Sequence, residues 1–371
     1  MKLIANHNLI NFAKISLFFS FWLVLGQFQA YAASVTVSPP KFEFEVDKGQ
    51  TINQNITVTN GDAVALTLAA STADFTALGE EGKASFTEDS NQVNSAFSLA
   101  SWISLPNQAV VVPASGKITV PFTIRIPEHA EAGGHFGTIF FSPVTTGNGD
   151  IAVKQKVGIL LLVRVKGEIR EQGTLDIFDT YNAKLTGDAI VSAKSQSAFE
   201  SFPINIALRL TNTGNVHTKP QGKIVIKNTF GQALTRVGEE AILSSSGAIT
   251  GTKVVDYIPV NDRAGNVLPS SSRVFLQSWK GYGSQVYDAD GQKSIAWKGL
   301  GLGRYTAELE LNFAGQTLPK QTISFWILPW KVMVGVILGL IALYFLIKTW
   351  RQMTRARLKR QLRKELEREN N

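Results

Sequence analysis

Hydrophobic and polar residues alternate along most of the chain before residue 326. The clearest case runs from Ile118 to Ile126, where every second residue is apolar, and Phe42 to Val46 and Ile204 to Leu210 follow the same rule. A period of two is typical of strands that have one buried face. Glycine, proline and asparagine separate these short segments, and no long helical period appears among them. The pattern predicts an all-β region built as two tandem Ig-like antiparallel β-sandwich domains.

Three segments in the first half make more specific predictions. Asn60-Gly61 is a favoured hairpin dipeptide, so it predicts that the strands on either side of it pair with each other, the second running through Val64. The stretch from Asp74 to Ala100 is polar and irregular, and it predicts a loop region in which carboxylates such as Glu80 are solvated. Ile159 to Val163 is apolar on both faces, as expected of a central strand or of one covered by the next domain.

The two halves of this region repeat one another in outline. Thr57 to Asn60, followed by a glycine, matches Leu210 to Asn212, which is also followed closely by a glycine. Pro113 and Pro269 each stand shortly before a strand, at similar distances from the two asparagines. Ordered matches of this kind are expected of two copies of one sandwich.

Composition limits what holds this region together and what it binds. The chain has no cysteine, so its domains depend on core burial without disulfides, which favours a bacterial surface over an animal one. Its net charge of +8 is carried by two N-terminal lysines and by a C-terminal tail with nine basic and three acidic residues, and the remainder is neutral. A neutral region offers no attractive field for nucleic acid. The length suits two domains, predicted over residues 33–166 and 167–325, with the boundary near Lys166 to Gly173.

An apolar run near the C-terminus has the length of a membrane-spanning helix. It extends from Trp326 to Ile347 with a single charge, Lys331, and about 20 apolar residues are needed to cross a bilayer. We predict a transmembrane helix over residues 326–348 and a basic tail over residues 349–371. Positive charge beside a span stays on the cytoplasmic side, so the tail is expected inside the cell and the sandwiches outside it. A buried helix of a soluble domain is the alternative.

Particular residues of this run have predicted roles in the anchor. Its aromatic residues and flanking cations are expected at the two membrane interfaces, with Lys331 reaching outward to the headgroups. Gly335 and Gly339 have a spacing that lets two helices approach closely, which predicts a homodimer contact; a membrane helix without a partner is the alternative. The predicted anchor residues are Trp326, Trp330, Lys331, Gly335, Gly339, Tyr344, Lys348 and Arg351.

The N-terminus has the pattern of a secretory signal peptide, predicted over residues 1–32. Two lysines flank the start of an apolar run from Ile15 to Phe28, and Ala30-Tyr31-Ala32 has the small-x-small pattern of a cleavage site. Cleavage is expected after Ala32 or Ala33, and an uncleaved anchor is the alternative. The mature N-terminus is then expected outside the cell.

Few residues are arranged for catalysis or for metal binding. His129 and His135, beside two glutamates, lack the spacing of a helical zinc site and predict a solvated polar turn. Asp288-Ala-Asp-Gly291 begins like a calcium loop, but Gly299 stands where such a loop has its glutamate. The sequence has no nucleophile elbow and no phosphate-binding glycine loop. We predict a non-catalytic protein without a metal or cofactor; a hydrolase whose site forms only in the fold is the less favoured alternative.

Aromatic residues near loops are the candidates for partner binding. Tyr282, Tyr287 and Trp297 lie in a glycine-rich insertion of the second domain, about Gly281 to Gly301, where exposed rings would anchor a partner. Burial in the core is the alternative for these three residues. Trp102 is predicted to lie in the core of the first domain.

Several short motifs accompany this layout. In the first domain they include Ser38-Pro-Pro-Lys-Phe-Glu-Phe44, Phe122 to Pro127 and Gly133 to Phe140, and the second domain has Leu210 to His217. The chain with these motifs resembles the WxL-interacting proteins of Gram-positive cell surfaces, from which it departs after Phe44 and at Ala69 to Gly82. The resemblance implies that the first domain associates with peptidoglycan and the second with protein partners, and it assigns no ligand residues.

These observations together predict a membrane-anchored bacterial cell-surface protein. Its extracellular sandwiches are expected to bind peptidoglycan, another cell-wall polymer or a surface protein. A structural stalk, or an assembly scaffold for secreted subunits, is the alternative.

Overall fold

The chain forms two β-sandwiches in tandem, followed by one long helix. The computed structural model describes residues 35–87, 95–105, 109–144, 156–186, 189–235, 237–244, 249–281 and 301–369. The predicted signal peptide and its cleavage site lie outside the described residues. The predicted fold class, with two sandwich domains and a long apolar C-terminal helix, is confirmed.

The first sandwich has two facing sheets. Its strands are β1 (Val35–Ser38), β2 (Lys41–Val46), β3 (Thr51–Asn60), β4 (Leu66–Leu78), β5 (Lys83–Thr87), β6 (Ile103–Ser104), β7 (Ala109–Val112), β8 (Lys117–Arg125), β9 (Gly133–Pro143) and β10 (Val157–Val165). One sheet has the order β1-β3-β8-β6, and the other has the order β2-β10-β9-β4-β5 with β7 also paired to β4. The edge strand β2 runs parallel to β10.

Alternate residues of these strands fill the first core. Phe122 and Ile124 of β8 are buried between the sheets, and the predicted strand over Ile118 to Ile126 is confirmed. Strand β10 lies between β2 and β9, and its inward residues, such as Leu161, are buried. Leu162 on the opposite face is buried too, in a small cluster against which Leu268 of the second sandwich packs. The central, covered strand predicted over Ile159 to Val163 is therefore confirmed.

The second sandwich repeats this plan. Its strands are β11 (Gly173–Thr186), β12 (Ala189–Ser195), β13 (Ala198–Phe199), β14 (Ile204–Asn212), β15 (Gln221–Lys227), β16 (Gly238–Leu243), β17 (Ile249–Val255), β18 (Ile258–Pro259), β19 (Ser271–Trp279), β20 (Gly303–Phe313), β21 (Gln316–Thr317) and β22 (Gln321–Ile327). The sheets have the orders β12-β11-β14-β19 and β13-β22-β20-β15-β18, with β21 beside β20 and β16-β17 as a separate pair. Trp279 is fully buried in this core, with Tyr305 and Phe325 around its ring.

Two predictions for the first sandwich were wrong. Asn60-Gly61 does not close a hairpin, because β3 pairs with β1 and β8 while β4 belongs to the opposite sheet. The first part of the stretch from Asp74 to Ala100 is not loop, because β4 continues to Leu78 and β5, which ends at Thr87, pairs with it. Phe75 lies on the outer face of this sheet, which the second sandwich covers. Because apolar residues are buried on both faces there, the alternation of apolar and polar residues that marks a strand is weak.

Asn60 and Asn212 occupy equivalent positions and make the same hydrogen bonds. Each side-chain amide donates to the carbonyl oxygen four residues later, at 2.8 Å for Asn60 and 2.7 Å for Asn212. Each also donates to a distant carbonyl oxygen, that of Pro113 at 3.1 Å and that of Val267 at 2.9 Å. Each side-chain oxygen accepts from the backbone N–H two residues later, at 2.9 Å. The predicted repeat thus preserves one polar clamp, which joins the turn between sheets to the loop before β8 or β19.

The C-terminal helix α1 (Trp330–Glu369) begins four residues after the predicted start of the span. Trp326 and Ile327 remain in β22, where they pair with β20, and Pro329 directly precedes the helix. The large apolar side chains between Val332 and Ile347 are 43 to 66 % exposed on all sides rather than packed against the sandwiches. An all-round apolar helix is stable only in a protein core or a membrane. Among the described residues, α1 is the helix long and apolar enough to cross a bilayer.

Candidate functional site

The turn between β4 and β5 attaches the first sandwich to the second. The carboxylate of Glu80 accepts hydrogen bonds from Arg209 Nη2 at 2.6 Å and from Arg209 Nε at 2.9 Å. The backbone N–H of Val274 donates to the carbonyl oxygen of Glu80 at 2.7 Å. The Arg209 hydrogen bonds lower the pKa of Glu80 and keep it charged. The prediction that Glu80 is simply solvated was wrong, because a paired guanidinium from the other sandwich holds it.

A second attachment centres on Asn215, in the turn between β14 and β15. The backbone N–H of Gly134 donates to the carbonyl oxygen of Asn215 at 2.8 Å, and the Asn215 amide donates to the carbonyl oxygen of Ala132 at 3.1 Å. The same side chain accepts from the N–H of Arg170 at 2.8 Å. Because Asn215 bonds to the start of β9 and to the segment before β11, it fixes the two sandwiches through backbone groups.

A polar cluster lies between these attachments. Glu43 of β2 forms ion pairs with Lys41, at 2.8 Å, and with Lys219, and it accepts a hydrogen bond from Asn266 at 3.2 Å. Burial alone would raise the pKa of Glu43, but the hydrogen bonds from Lys219, Lys41 and Asn266 outweigh it and lower the pKa to about 2. Two of these three partners belong to the second sandwich, so the carboxylate is a third point of attachment.

His217 lies beside this cluster, with its ring centroid 5.7 Å from that of Phe136 in an edge-on arrangement. Burial lowers its pKa from 6.5 to about 4, because the cationic ring would lose its hydration. The ring is therefore neutral at pH 7. Among the described residues its Nδ1 atom has no hydrogen-bond partner.

Acid is expected to destabilise the interface in two separate pH windows. The unfolded His217 takes up a proton below pH 6.5 while the folded one stays neutral to about pH 4, so stability falls as pH decreases between these values. The expected loss is about 3 kcal/mol by pH 4. Glu43 adds to it only below pH 4.5, as its folded pKa of about 2 is approached. The measurement is the denaturant midpoint of the full chain in detergent at a series of pH values.

The substitution His217→Leu should remove most of the slope between pH 6.5 and pH 4. His129→Gln is the matched control, because His129 is exposed and its substitution should leave the slope unchanged. An unchanged slope in His217→Leu would show that the ring titrates normally.

A cleft of about 200 Å³ opens between the two sandwiches. Its floor is apolar and comes mainly from the outer face of the first sandwich, with Phe75, Ala77, Ala84, Leu160 and Leu162, opposite Leu268 of the second. The charged residues that line the cleft are all cations, namely Lys41, Lys83, Arg263 and Arg273. Lys41 and Lys83 are paired with glutamates beside the cleft. The combination is an apolar floor with a positive rim.

Arg273 is the most constrained of these cations. Its guanidinium lies between Gly82 of the first sandwich and Gly265 of the second, and a Cβ atom at either glycine would stand within 2.8 Å of it. Gly82 also has a φ of +77°, a conformation that favours glycine. The guanidinium donates to the carbonyl oxygen of Asn266 at 2.7 Å and lies 5.0 Å from the ring of Phe275.

No carboxylate among the described residues pairs with Arg273, and burial lowers the pKa of its guanidinium. A partly buried charge without a counterion is unfavourable until an anion approaches it. Arg273 is therefore the group of the cleft best placed to receive a carboxylate from a ligand.

The second candidate region is the junction between the second sandwich and α1. Glu200, just after β13, accepts hydrogen bonds from the indole N–H of Trp330 and from Lys331 Nζ, the latter at 2.8 Å. These two bonds lower the pKa of Glu200. A carboxylate at a helix N-terminus also interacts favourably with the helix dipole. Lys331, which was predicted to reach outward to the headgroups, forms an ion pair with Glu200 of the second sandwich.

Of the remaining anchor residues, Trp326 lies in β22, and Gly335, Gly339, Tyr344, Lys348 and Arg351 lie in α1. Lys331 and Lys348 are about 26 Å apart along the axis, close to the hydrocarbon thickness of a bilayer. Tyr344 is exposed near the second end, and Arg351 follows one turn after Lys348. A Cβ atom added at Gly335 or Gly339 would meet no atom of another part of the described chain within 4 Å. The predicted dimer face is therefore uncovered.

The three aromatic residues that were predicted to bind a partner cannot be placed in the surface or in the core. Tyr282, Tyr287 and Trp297 lie outside the described residues. The flanking Gly281 and Gly301 both lie against the ring of Phe202, so the insertion leaves and re-enters the second sandwich at one place.

Two other residues of the sequence analysis are placed in or against the first core. Trp102 was predicted in the core, whereas the structure places it half-buried against the core, with its ring centroid 4.3 Å from that of His135. His135 itself is buried, and its ring nitrogens lie 3.1 and 3.0 Å from the carbonyl oxygens of Ser98 and Glu131. The prediction of a solvated turn at His135 was therefore wrong, because the residue belongs to β9.

No protein-family model and no curated protein sequence matches the chain. Among solved structures, it is similar to the class 5 fimbriae chaperone CfaA, with 12 % identity over 80 % of this chain and 100 % of that one and a TM-score of 0.32. The E. coli chaperone DraB is similar at 9 % identity over 78 % of this chain and 98 % of that one, with a TM-score of 0.30. A PapD-like domain of human CEP192 covers 37 % of this chain and 92 % of its own, at 11 % identity and a TM-score of 0.24.

Likenesses of this size concern the fold, and nothing about the partner of this chain follows from them. None of these structures is a WxL-interacting protein, so that resemblance stays a prediction. The chain consists of two Ig-like β-sandwich domains, followed by a helix that is long and apolar enough to cross a membrane.

Proposed function

We propose that this protein is a non-catalytic, single-pass surface protein whose interdomain cleft binds a carboxylate-bearing segment of another surface protein. The observation that carries the proposal is Arg273, whose partly buried guanidinium at the edge of an apolar cleft has no counterion in the described part of the chain. Charge-assisted hydrogen bonds to a guanidinium are among the stronger polar contacts in proteins. A ligand that places a carboxylate beside an apolar side chain satisfies both halves of this surface.

The docking of the two sandwiches supports a binding role. Glu80 and Asn215 fix the sandwiches relative to each other through contacts to both side chains and backbone. A cleft that is held in place before the ligand arrives loses little conformational entropy when the ligand binds. A stalk or assembly scaffold, the alternative function, would use the same rigidity without needing an unpaired guanidinium in the cleft.

The charge around α1 supports an orientation with the sandwiches outside the cell. The tail after Ile347 carries nine basic and three acidic residues, and basic residues flanking a span remain in the cytoplasm. Glu200 ties the first turn of α1 to the second sandwich, so the cleft is carried on a unit that stands directly on the membrane.

The test is peptide binding by the full chain in detergent, measured by fluorescence anisotropy. The probes are short peptides with leucine or phenylalanine next to a free carboxylate, compared with the same peptides as amides. We expect the carboxylate forms to bind more tightly, and Arg273→Gln to weaken them on the order of tenfold. Glutamine keeps a donor for the carbonyl oxygen of Asn266, which limits any effect on folding.

Arg304→Gln is the matched control, because Arg304 is an arginine outside the cleft whose loss should leave peptide binding unchanged. Equal binding of acids and amides, unaffected by Arg273→Gln, would contradict the proposal. A parallel assay with purified peptidoglycan tests the alternative that the protein binds the cell wall. Binding of the polymer without binding of the peptides would support that alternative.

A further inference from the structure

One exposed aromatic side chain stands at the end of the second sandwich from which α1 leaves. Phe230 is 87 % exposed, at the tip of the turn that follows β15. A large apolar side chain presented so fully to solvent is unfavourable unless another apolar phase receives it.

The turn is held in shape by its own hydrogen bonds. The side-chain oxygen of Asn228 accepts from the N–H groups of Phe230 and Gln232, each at 3.0 Å, and the N–H of Gly231 donates to the carbonyl oxygen of Asn228 at 2.9 Å. Gly231 has a φ of +78°, which favours glycine at this position. Phe230 is therefore presented by a closed turn rather than by a loose loop.

The position of the turn relative to α1 follows from strand register. The hydroxyl of Thr229 donates to the carbonyl oxygen of Arg304 at 2.8 Å and accepts from the Arg304 N–H at 3.2 Å. Arg304 pairs with Trp326 in β22, four residues before the first residue of α1. The turn thus lies at the same end of the sandwich as the start of the helix.

Other side chains at this end have the composition of a membrane interface. Leu302, Trp326 and Leu328 are 59, 45 and 39 % exposed. Arg304 hydrogen-bonds Ser324 at 3.1 Å and forms no ion pair with a described carboxylate. Apolar and tryptophan side chains next to a cation are typical of surfaces that lie in the headgroup region.

We propose that Phe230 inserts into the headgroup–acyl boundary of the leaflet that α1 enters, as a second membrane contact of the sandwich. The inference rests on the proposed membrane insertion of α1. Continuity with the helix start selects the lipid surface as the occupant of this patch, rather than a second copy or a soluble partner. Two contacts, the helix and the turn, would restrict tilting of the sandwich and hold the cleft at one height above the membrane.

The test uses the absence of cysteine from the chain, which allows single-site labelling. Full-length Phe230→Cys carrying an environment-sensitive NBD label is reconstituted into phosphatidylcholine–phosphatidylglycerol vesicles with nitroxide lipids. We expect the emission of the label at residue 230 to be blue-shifted relative to that of the same label at residue 64. We also expect a shallow nitroxide to quench it more strongly than a deep one. Val64→Cys in the first sandwich, where Val64 is 70 % exposed, should stay unshifted and unquenched.

A label at Val336→Cys, within α1, separates failure of this inference from failure of the anchor. Quenching at residue 336 by the deep nitroxide with none at residue 230 would overturn the Phe230 contact and leave the anchor intact. A blue shift at residue 230 without quenching would also overturn it, because protein rather than lipid would then cover the turn. Loss of quenching at both residues would refute the anchor and this inference with it.

Discussion

Asn212→Ala is expected to destabilise the second sandwich by about 3 kcal/mol. Asn212 is fully buried, and its side chain makes three hydrogen bonds of 2.7 to 2.9 Å to backbone groups. Alanine removes all three buried hydrogen bonds, each of which contributes about 1 kcal/mol. The Val216 carbonyl oxygen loses its partner, whereas the Gly214 N–H still donates to Gln172 and the Val267 carbonyl oxygen still accepts from Thr218. The measurement is denaturant unfolding of the full chain, followed by the fluorescence of the buried Trp279.

Asn205→Ala is the matched control, because Asn205 lies at a half-buried position of the same strand and accepts one solvent-exposed bond, from Ser278. Its effect should stay within about 0.5 kcal/mol. Asn60→Ala should destabilise the first sandwich by the same mechanism, with a somewhat smaller effect because its three equivalent bonds are only partly buried. Equal effects of Asn212→Ala and Asn205→Ala would mean that the clamp contributes little.

Removing the chain after Leu328 should transfer the protein completely from the membrane to the aqueous fraction. The apolar side chains of α1 are exposed on every face, and a spanning helix of this kind inserts in an effectively irreversible manner. The sandwiches keep all their strands in this truncation, because β22 ends at Ile327. The measurement is the distribution of full-length and shortened chains between pellet and supernatant after an alkaline wash.

Gly335→Ile is the control for this truncation, since it keeps the span apolar and should leave the chain in the pellet. The same variant tests the predicted dimer face, because isoleucine blocks close helix approach. A truncated chain that still sedimented with the membrane would show that the sandwiches bind lipid without the helix.

Much of the fold could be predicted from local pattern. Period-two alternation located strands such as β8 and β14, because each places one face in a core and the other in solvent. The repeated asparagines located equivalent turns in the two sandwiches. The strand pairing predicted at Asn60-Gly61 was wrong, because a favoured turn dipeptide does not specify whether the chain stays in one sheet or crosses to the other.

The candidate site was less predictable, because its contacts join residues far apart in the chain. Glu80 and Arg209 are separated by 129 positions, and nothing near Glu80 in sequence distinguishes it from a solvated carboxylate. Arg273 belongs to an ordinary strand pattern, and only the packing of Gly82 and Gly265 around it reveals its burial. Phe230 gave a signal that sequence reasoning passed over, namely a phenylalanine inside an Asn-Thr-Phe-Gly turn.

The proposed function requires that α1 hold the two docked sandwiches outside the cell, with the basic tail inside it. Cysteine at Val64 and cysteine at Gln361, each in an otherwise cysteine-free chain, test this directly in intact cells with a membrane-impermeant maleimide. We predict that Val64→Cys is labelled in intact cells and that Gln361→Cys is labelled only after the cells are opened. Labelling of Gln361→Cys in intact cells, with Val64→Cys protected, would contradict the account.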